Sequence, residues 1–242
     1  RSGEVLYNQY CASCHGDNGG GSGDLAYLLY PKPRDFTSGK YKIKSSPPGL
    51  PPTDDDIIKT IKQGMPGTAM PAFNFLHIDE IIRLTDEVKK FSSMNNQHVK
   101  SLTIPTELPA TNEIITLGKD IYNEVGCNMC HGNTGKGDGP SAQKLLDSKG
   151  YPIVPKDFTS GNYIGGNTKR DLFLRFATGI DGTPMPSYGN LAEVLGKPKE
   201  DENKLTWALV HYVKSLEVIK YDRISNPIEN NKIISSKTKN VI

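Results

Sequence analysis

The sequence predicts two tandem copies of one small helical domain, and three observations predict it. Four motifs of the N-terminal half return in the same order in the C-terminal half. Gly3-x3-Tyr7 returns as Gly118-x3-Tyr122, and Asp35-Phe36-Thr37-Ser38-Gly39-x-Tyr41 as Asp157-Phe158-Thr159-Ser160-Gly161-x-Tyr163. Thr53-x-x-Asp56 returns as Thr168-x-x-Asp171, and Gly67-Thr68-Ala69-Met70-Pro71 as Gly182-Thr183-Pro184-Met185-Pro186. Within each copy, apolar residues recur three or four apart, the period of a helix with one buried face. Capping residues and glycines bracket those stretches. The copies drift in register only between motifs, as when insertions fall in surface loops, and the period is too long for a solenoid. The expected boundaries are a first domain over 1–100, a linker over 101–112, a second domain over 113–221 and an extended polar tail over 222–242.

Each copy opens with a short helix. Gly3, Leu6 and Tyr7 share one face, and a glycine on that face lets another helix cross close by. Next comes Cys11-Ala12-Ser13-Cys14-His15, repeated as Cys127-Asn128-Met129-Cys130-His131. A Cys-x-x-Cys-His run reads as a c-type haem attachment site. The thiols of Cys11 and Cys14, and of Cys127 and Cys130, bond to the porphyrin edge, while His15 and His131 coordinate iron. Two runs mean two covalently bound haems, and they consume all four cysteines. A zinc ribbon would want a gap of about 15–20 residues between its pairs, far less than separates Cys14 from Cys127. A thioredoxin-like pair needs no following histidine, and here both pairs have one.

Glycine-rich loops follow, Gly16 to Gly23 and Gly132 to Gly139. Neither has the Gly-Lys-Ser/Thr ending of a phosphate loop, so they read as tight chain wrapped along a haem edge where only small residues fit. Residues 53–63 and 168–178 read as a middle helix. Thr53 with Asp56, and Thr168 with Asp171, form N-caps with an acid at the third position. Asp54 and Asp55 suit the positive end of the helix dipole, so this acidic run reads as capping rather than a metal site. Gly64 and Gly179 stop the helices. A last helix is expected over Asp79 to Phe91 and over Lys204 to Leu216, with Val88, Phe91, Leu209 and Tyr212 facing inward and crossing the Gly3 and Gly118 helices. Residues 92–112, with Ser-Ser, Asn-Asn, Pro105 and Pro109, lack a clear period and contain the linker. Residues 222–242 read as a tail that is disordered or laid over a partner surface.

The sixth iron position separates an electron carrier from a haem that turns over small molecules. The repeat selects Met70 and Met185, each in a Gly-Thr-x-Met-Pro context and nearly equidistant from its histidine. The neighbouring proline stiffens the loop. Met65 aligns with Ile180 and reads as packing. Met129 lies between haem-linked cysteines, and Met94 lies in the linker. His77, His98 and His211 have no histidine partner in the other copy, and His211 reads as a helix-surface or packing residue. His/Met ligation raises the reduction potential relative to His/His, and a closed six-coordinate site changes little when an electron arrives or leaves.

Net charge excludes other roles. The 29 Lys/Arg against 27 Asp/Glu are spread evenly, 12 against 11 over residues 1–105 and 17 against 16 over the rest. That supports neither nucleic-acid binding nor a polybasic membrane surface. No apolar run is long enough to span a bilayer. Hydrophobic residues make up 36%, low for this size, and two haems would supply the missing apolar core. Haem attachment of this kind takes place outside the cytoplasm in bacteria, so residue 1 is expected to start a processed, exported, periplasmic protein.

With these motifs in both halves, the chain resembles class I, cytochrome-c-like diheme proteins over about residues 1–92 and 113–216. The resemblance implies an all-α fold of two tandem cytochrome-c-like domains, each a few helices around one covalently attached haem with an exposed edge. It also implies that a backbone carbonyl, often from a Gly-Pro pair past the haem motif, orients the axial histidine. Gly139-Pro140 fits this, whereas the first copy has Gly23-Asp24 and keeps a carbonyl without the rigid proline. Phe36, Tyr41, Phe158 and Tyr163 are expected near the haem, at a propionate or in the core. The function expected is electron transfer between redox protein partners, free or as the electron-transfer subunit of a larger respiratory oxidoreductase, and not catalysis. The alternatives are a diheme enzyme of peroxidase or thiosulfate-oxidising type, and a docking module with structural haems.

Overall fold

The computed structural model of the chain describes residues 1–93 and 99–218. The tail expected over 222–242, and Met94 and His98, lie outside the described residues. Apart from one isolated bridge between Leu146 and Pro152, the described residues carry no β-structure. The first half holds α1 (Gly3–Tyr10), α2 (Ala12–His15), α3 (Asp54–Gln63) and α4 (Ile78–Lys90). The second half holds α5 (Asn112–Glu124), α6 (Cys127–His131), α7 (Lys169–Thr178), α8 (Leu191–Val194) and α9 (Glu202–Ser215).

The middle helices begin where their caps dictate. In α3 the Thr53 side chain accepts from the Asp56 N–H and Asp56 accepts in return from the Thr53 N–H, and Thr168 with Asp171 repeats this reciprocal box in α7. Gly64 at φ 67° and Gly179 at φ 68° end the two helices. Asp54 also meets Lys89 at 2.5 Å, and the described residues contain no cluster of His, Cys, Asp and Glu fit to hold a bare metal ion. The acidic run is therefore a cap. His77, discounted as an iron ligand, is the N-cap of α4: its Nδ1 accepts from the Asp79 N–H at 3.4 Å.

Each half has its own core, and each core forms where the first helix crosses the last. Leu6 and Tyr7 of α1 pack with Leu84 and Val88 of α4. Ile121 and Tyr122 of α5 pack with Leu209, Tyr212 and Val213 of α9. The backbones touch at the glycines: a Cβ built on Gly3 would lie 2.3 Å from the Arg83 carbonyl oxygen, and one on Gly118 would lie 2.0 Å from that of Ala208. His211, also on α9, is 2% exposed, and its Nε2 is 2.7 Å from the Leu108 carbonyl oxygen. It is a packing residue rather than a helix-surface one.

The stretch between the halves is tied to both. The Leu102 N–H donates to the Ser45 carbonyl at 2.8 Å, while Leu102, Ile104 and Leu108 pack on the second core. No helix among the described residues is long and apolar enough to cross a membrane.

Gly118→Ala forces a methyl into the Ala208 carbonyl, an overpacking expected to cost about 1–3 kcal/mol. Chemical denaturation of the haem-loaded protein checks it, and an unchanged midpoint would contradict the crossing.

Candidate functional site: duplicated histidine and methionine loops and an apolar cavity

Both Cys-x-x-Cys-His runs form short helices immediately after a crossing helix. Tyr7, buried on α1, donates its hydroxyl to the Gly16 carbonyl at 2.8 Å, and Tyr122 donates to the Gly132 carbonyl at 2.7 Å. The residue after each histidine is thus held by the tyrosine of the Gly-x3-Tyr motif.

The ring of each histidine is held by two further contacts. His15 Nδ1 donates to the Arg34 carbonyl at 2.9 Å, and His131 Nδ1 donates to the Lys156 carbonyl at 3.0 Å. Phe36 stacks on His15 with ring centroids 4.5 Å apart, and Phe158 stacks on His131 at 4.3 Å. A carbonyl only accepts, so Nδ1 carries the proton and Nε2 keeps its lone pair. Burial holds both imidazoles below the usual histidine range, opposed by the same carbonyl bonds. Neutral imidazole is the form that binds iron.

This corrects the expected source of the orienting carbonyl. It is not the Gly139-Pro140 carbonyl, nor that of Gly23. It belongs to the residue before each Asp-Phe-Thr run. Asp35 Oδ1 accepts from the Thr37 N–H at 2.9 Å and its hydroxyl at 2.6 Å, and Asp157 does the same with Thr159. Such a turn fixes the carbonyl ahead of it and the aromatic ring behind it together. The loss of proline at Asp24 therefore leaves His15 held as His131 is.

The glycine loops are also confined by the chain itself. A Cβ on Gly23 would lie 2.4 Å from the Ala12 carbonyl oxygen, one on Gly139 would lie 2.4 Å from that of Met129, and one on Gly21 would lie 2.8 Å from that of Pro33. The haem-motif helix and the segment before Asp35 themselves leave room only for small residues here. Phe36 N–H to the Gly19 carbonyl (2.8 Å) and Phe158 N–H to the Gly135 carbonyl (2.6 Å) complete the same clamp.

The methionine loops are duplicates. Met65 N–H donates to the Met70 carbonyl at 3.1 Å, and Ile180 N–H donates to that of Met185 at 3.2 Å. Thr68 Oγ1 accepts from Met70 N–H and donates to the Met65 carbonyl, as Thr183 Oγ1 does between Met185 and Ile180.

In the first domain these parts meet. Cys11, Cys14, His15 and Met70 all line one cavity, with about 1200 Å³ of empty space including its open mouth. Its other walls are mainly apolar, among them Phe36, Ile57 and Phe73, and the polar residues that join them include Lys32, Arg34, Tyr41, Lys42 and Asp56. Met65 lines it too, so the packing expected of Met65 is packing against the site itself. In the second domain Cys127 and Met185 lie against the same core as Phe158. Met129 is 47% exposed and faces away. Burial pushes the Cys11 thiol up to about 12 and the Cys127 thiol up to about 12. A redox or nucleophilic cysteine needs the opposite shift. The donor set and the apolar cavity fit a covalently held haem, which when bound supplies a one-electron iron couple.

A tandem pair of all-α domains, each with a clamped Cys-x-x-Cys-His helix and a Thr-x-Met-Pro loop, defines a c-type cytochrome. Comparison with known proteins agrees. The family described as "Cytochrome C oxidase, cbb3-type, subunit III" matches residues 1–85, and that described as "Cytochrome c" matches residues 115–217. A chain of the Kuenenia stuttgartiensis reducing HAO-like protein complex Kustc0457/Kustc0458 is 42% identical, with a TM-score of 0.81 over 89% of this chain and 96% of that one. The Cbb3-type cytochrome c oxidase subunit CcoP of Azospirillum sp. (strain B510) is 27% identical over 199 residues, 77% of this chain but 54% of that protein. The chain thus spans about half the length of that curated relative. The chain belongs to the c-type cytochromes, with two cytochrome c domains and two covalently bound haems.

Pro140→Ala, which removes the rigid proline without adding a charge, is expected to leave the second haem's midpoint potential unchanged, because Lys156 holds His131. Spectroelectrochemistry reads this, and a clear shift would restore the Gly-Pro carbonyl to that role.

Proposed function

We propose that the chain is a periplasmic diheme carrier of single electrons and the electron-transfer subunit of a larger oxidoreductase, not itself a catalyst. One solved relative belongs to a reducing HAO-like complex, and one curated relative is a subunit of a cbb3-type oxidase. Those relationships support an assembly role here, with redox proteins as donor and acceptor. On this reading the domains span 1–100 and 113–221.

The observation that carries the reading is the convergence of His15 and Met70 on one cavity, repeated in the second copy by matching bonds at His131 and Met185. Cys11 and Cys14 attach the first haem, and Cys127 and Cys130 the second. His15 and His131 are the proximal ligands, and Met70 and Met185 fill the opposite positions. The chain's contribution is to hold both ligand loops still. The Arg34 and Lys156 carbonyls fix the histidine tautomer. The Thr68 and Thr183 hydroxyls fix the methionine backbones. A filled sixth position speaks against a peroxidase or thiosulfate-oxidising site, which needs an open or altered one.

A potentiometric titration of the purified diheme protein should resolve two midpoints. Met70→Ala and Met185→Ala should each lower one of them, because the thioether favours ferrous iron. Each should also remove about half of the weak red band of methionine-ligated ferric haem. High-spin ferric iron in the unsubstituted protein would refute the carrier reading.

A further inference from the structure

The second domain contributes to the lining of the first domain's cavity. Ile164, from the segment after Tyr163, is one of the residues lining it. Behind that wall, Arg175 of α7 donates from Nη1 to the Lys42 carbonyl at 2.9 Å and from Nη2 to the Lys44 carbonyl. Lys42 and Ile43 line the same cavity. A guanidinium from one domain therefore holds the backbone of the other domain's haem-pocket wall.

The fit around Arg175 is close. The residue is 8% exposed and its Nε has no hydrogen-bond partner among the described residues. A Cβ added at Gly165 would lie 3.0 Å from Ile43 Cδ1 and 3.3 Å from Arg175 Nε. Burial lowers the proton affinity of Arg175, opposed by Asp56, Asp171 and Asp181.

Asp181 makes the second link. The Lys44 ammonium, on a side chain that is 0% exposed, meets Asp181 Oδ2 at 2.6 Å and the Leu50 carbonyl at 2.9 Å. Asp181 stands four positions before Met185, in the second methionine loop. It also acts on Arg34, together with Asp147 and Asp35, and the Arg34 carbonyl is the acceptor for His15. Buried pairs of this kind add little net stability, yet removing one partner leaves an uncompensated charge in a poorly screened place. Charges beside a haem cavity bias its iron between ferric and ferrous, because the ferric form carries one more positive charge.

We propose that the second domain is part of the first haem's pocket: Arg175 and Asp181 are positioning residues that set the first haem's potential from across the domain boundary. The proposal rests on the haem reading of the first cavity.

The test uses the full chain with both haems attached and follows the first haem's midpoint, identified as the wave that Met70→Ala moves. Arg175→Met should lower that midpoint. It removes a cation beside the cavity and frees the Lys42 and Lys44 carbonyls to draw in water, and both changes favour ferric iron. Asp181→Asn should raise it, because Lys44 keeps its charge without its partner. Arg170→Met, which removes the same charge from an exposed position on α7, should leave it unmoved. The proposal is overturned if the first midpoint stays at its parent value in both Arg175→Met and Asp181→Asn, or if Arg170→Met moves it as far as Arg175→Met does. The nearly isosteric Asp181→Asn keeps the test open should Arg175→Met fail to fold. Mass spectrometry of the parent separates the two levels. A first domain without covalent haem defeats the haem reading, whereas a loaded protein with unmoved midpoints defeats only this inference.

Discussion

The contact on which each domain depends is the backbone crossing of its first and last helices. Gly3 lies against the Arg83 carbonyl and Gly118 against that of Ala208, at distances that admit no side chain. The crossing brings Leu6 and Tyr7, or Ile121 and Tyr122, into the centre of a core. It also sets the direction in which the chain leaves the first helix. Within a few residues come the cysteines and the histidine of the haem motif, and the tyrosine hydroxyl reaches forward to clamp the residue after that histidine. A fault in the crossing would therefore reach that histidine through one short stretch of chain.

What was legible in the sequence was what is written in side chains at short range. Thr53 and Asp56 cap α3, and Thr168 and Asp171 cap α7, because a capping box is a local reciprocal bond. The glycines of the crossing were legible because they stand on the apolar face of a helix. The acceptor for the histidine was not. It is a main-chain carbonyl 19 residues past His15 in one copy and 25 past His131 in the other, and no side chain marks it. The signal that could have found it is the Asp-Phe-Thr turn, present in both copies at a fixed place relative to that carbonyl. The run was noticed for its aromatics, although its aspartate builds the turn. The glycine loops were read as small for the sake of a ligand. Their neighbours show that the chain requires small residues there in its own right, since the atoms in the way at Gly23 and Gly139 are carbonyl oxygens of the haem-motif helix.

The stretch between the domains was illegible for a different reason. Leu102, Ile104 and Leu108 have no helical period, and their burial against the second core follows from where the chain must run. The Ser45 carbonyl that receives the Leu102 N–H lies in the first domain. The connecting chain is thus bonded at one end and packed along its length, which limits how freely the domains move apart.

Duplication itself marks where the two domains meet. Aligned on Thr53 and Thr168, the buried Arg175 corresponds to Thr60 and Asp181 to Pro66. Aligned on Tyr41 and Tyr163, the run Lys42-Ile43-Lys44 corresponds to Ile164-Gly165-Gly166. The capping threonines, the turn aspartates and the methionine loops are shared, because each domain needs them for its own haem. The charged residues are not shared, because the interface needs complementary partners rather than copies. The segment after Tyr41 supplies the carbonyls and the Lys44 ammonium, while the second copy supplies the guanidinium, the carboxylate and, at Gly165, the space. On the proposed reading the two haems have the same ligand types, which alone would give them much the same potential. The residues that broke the repeat place Arg175 and Asp181 of the second domain against the Lys42-Ile43-Lys44 segment of the first, and under the proposal above that asymmetry would give two like centres unequal potentials.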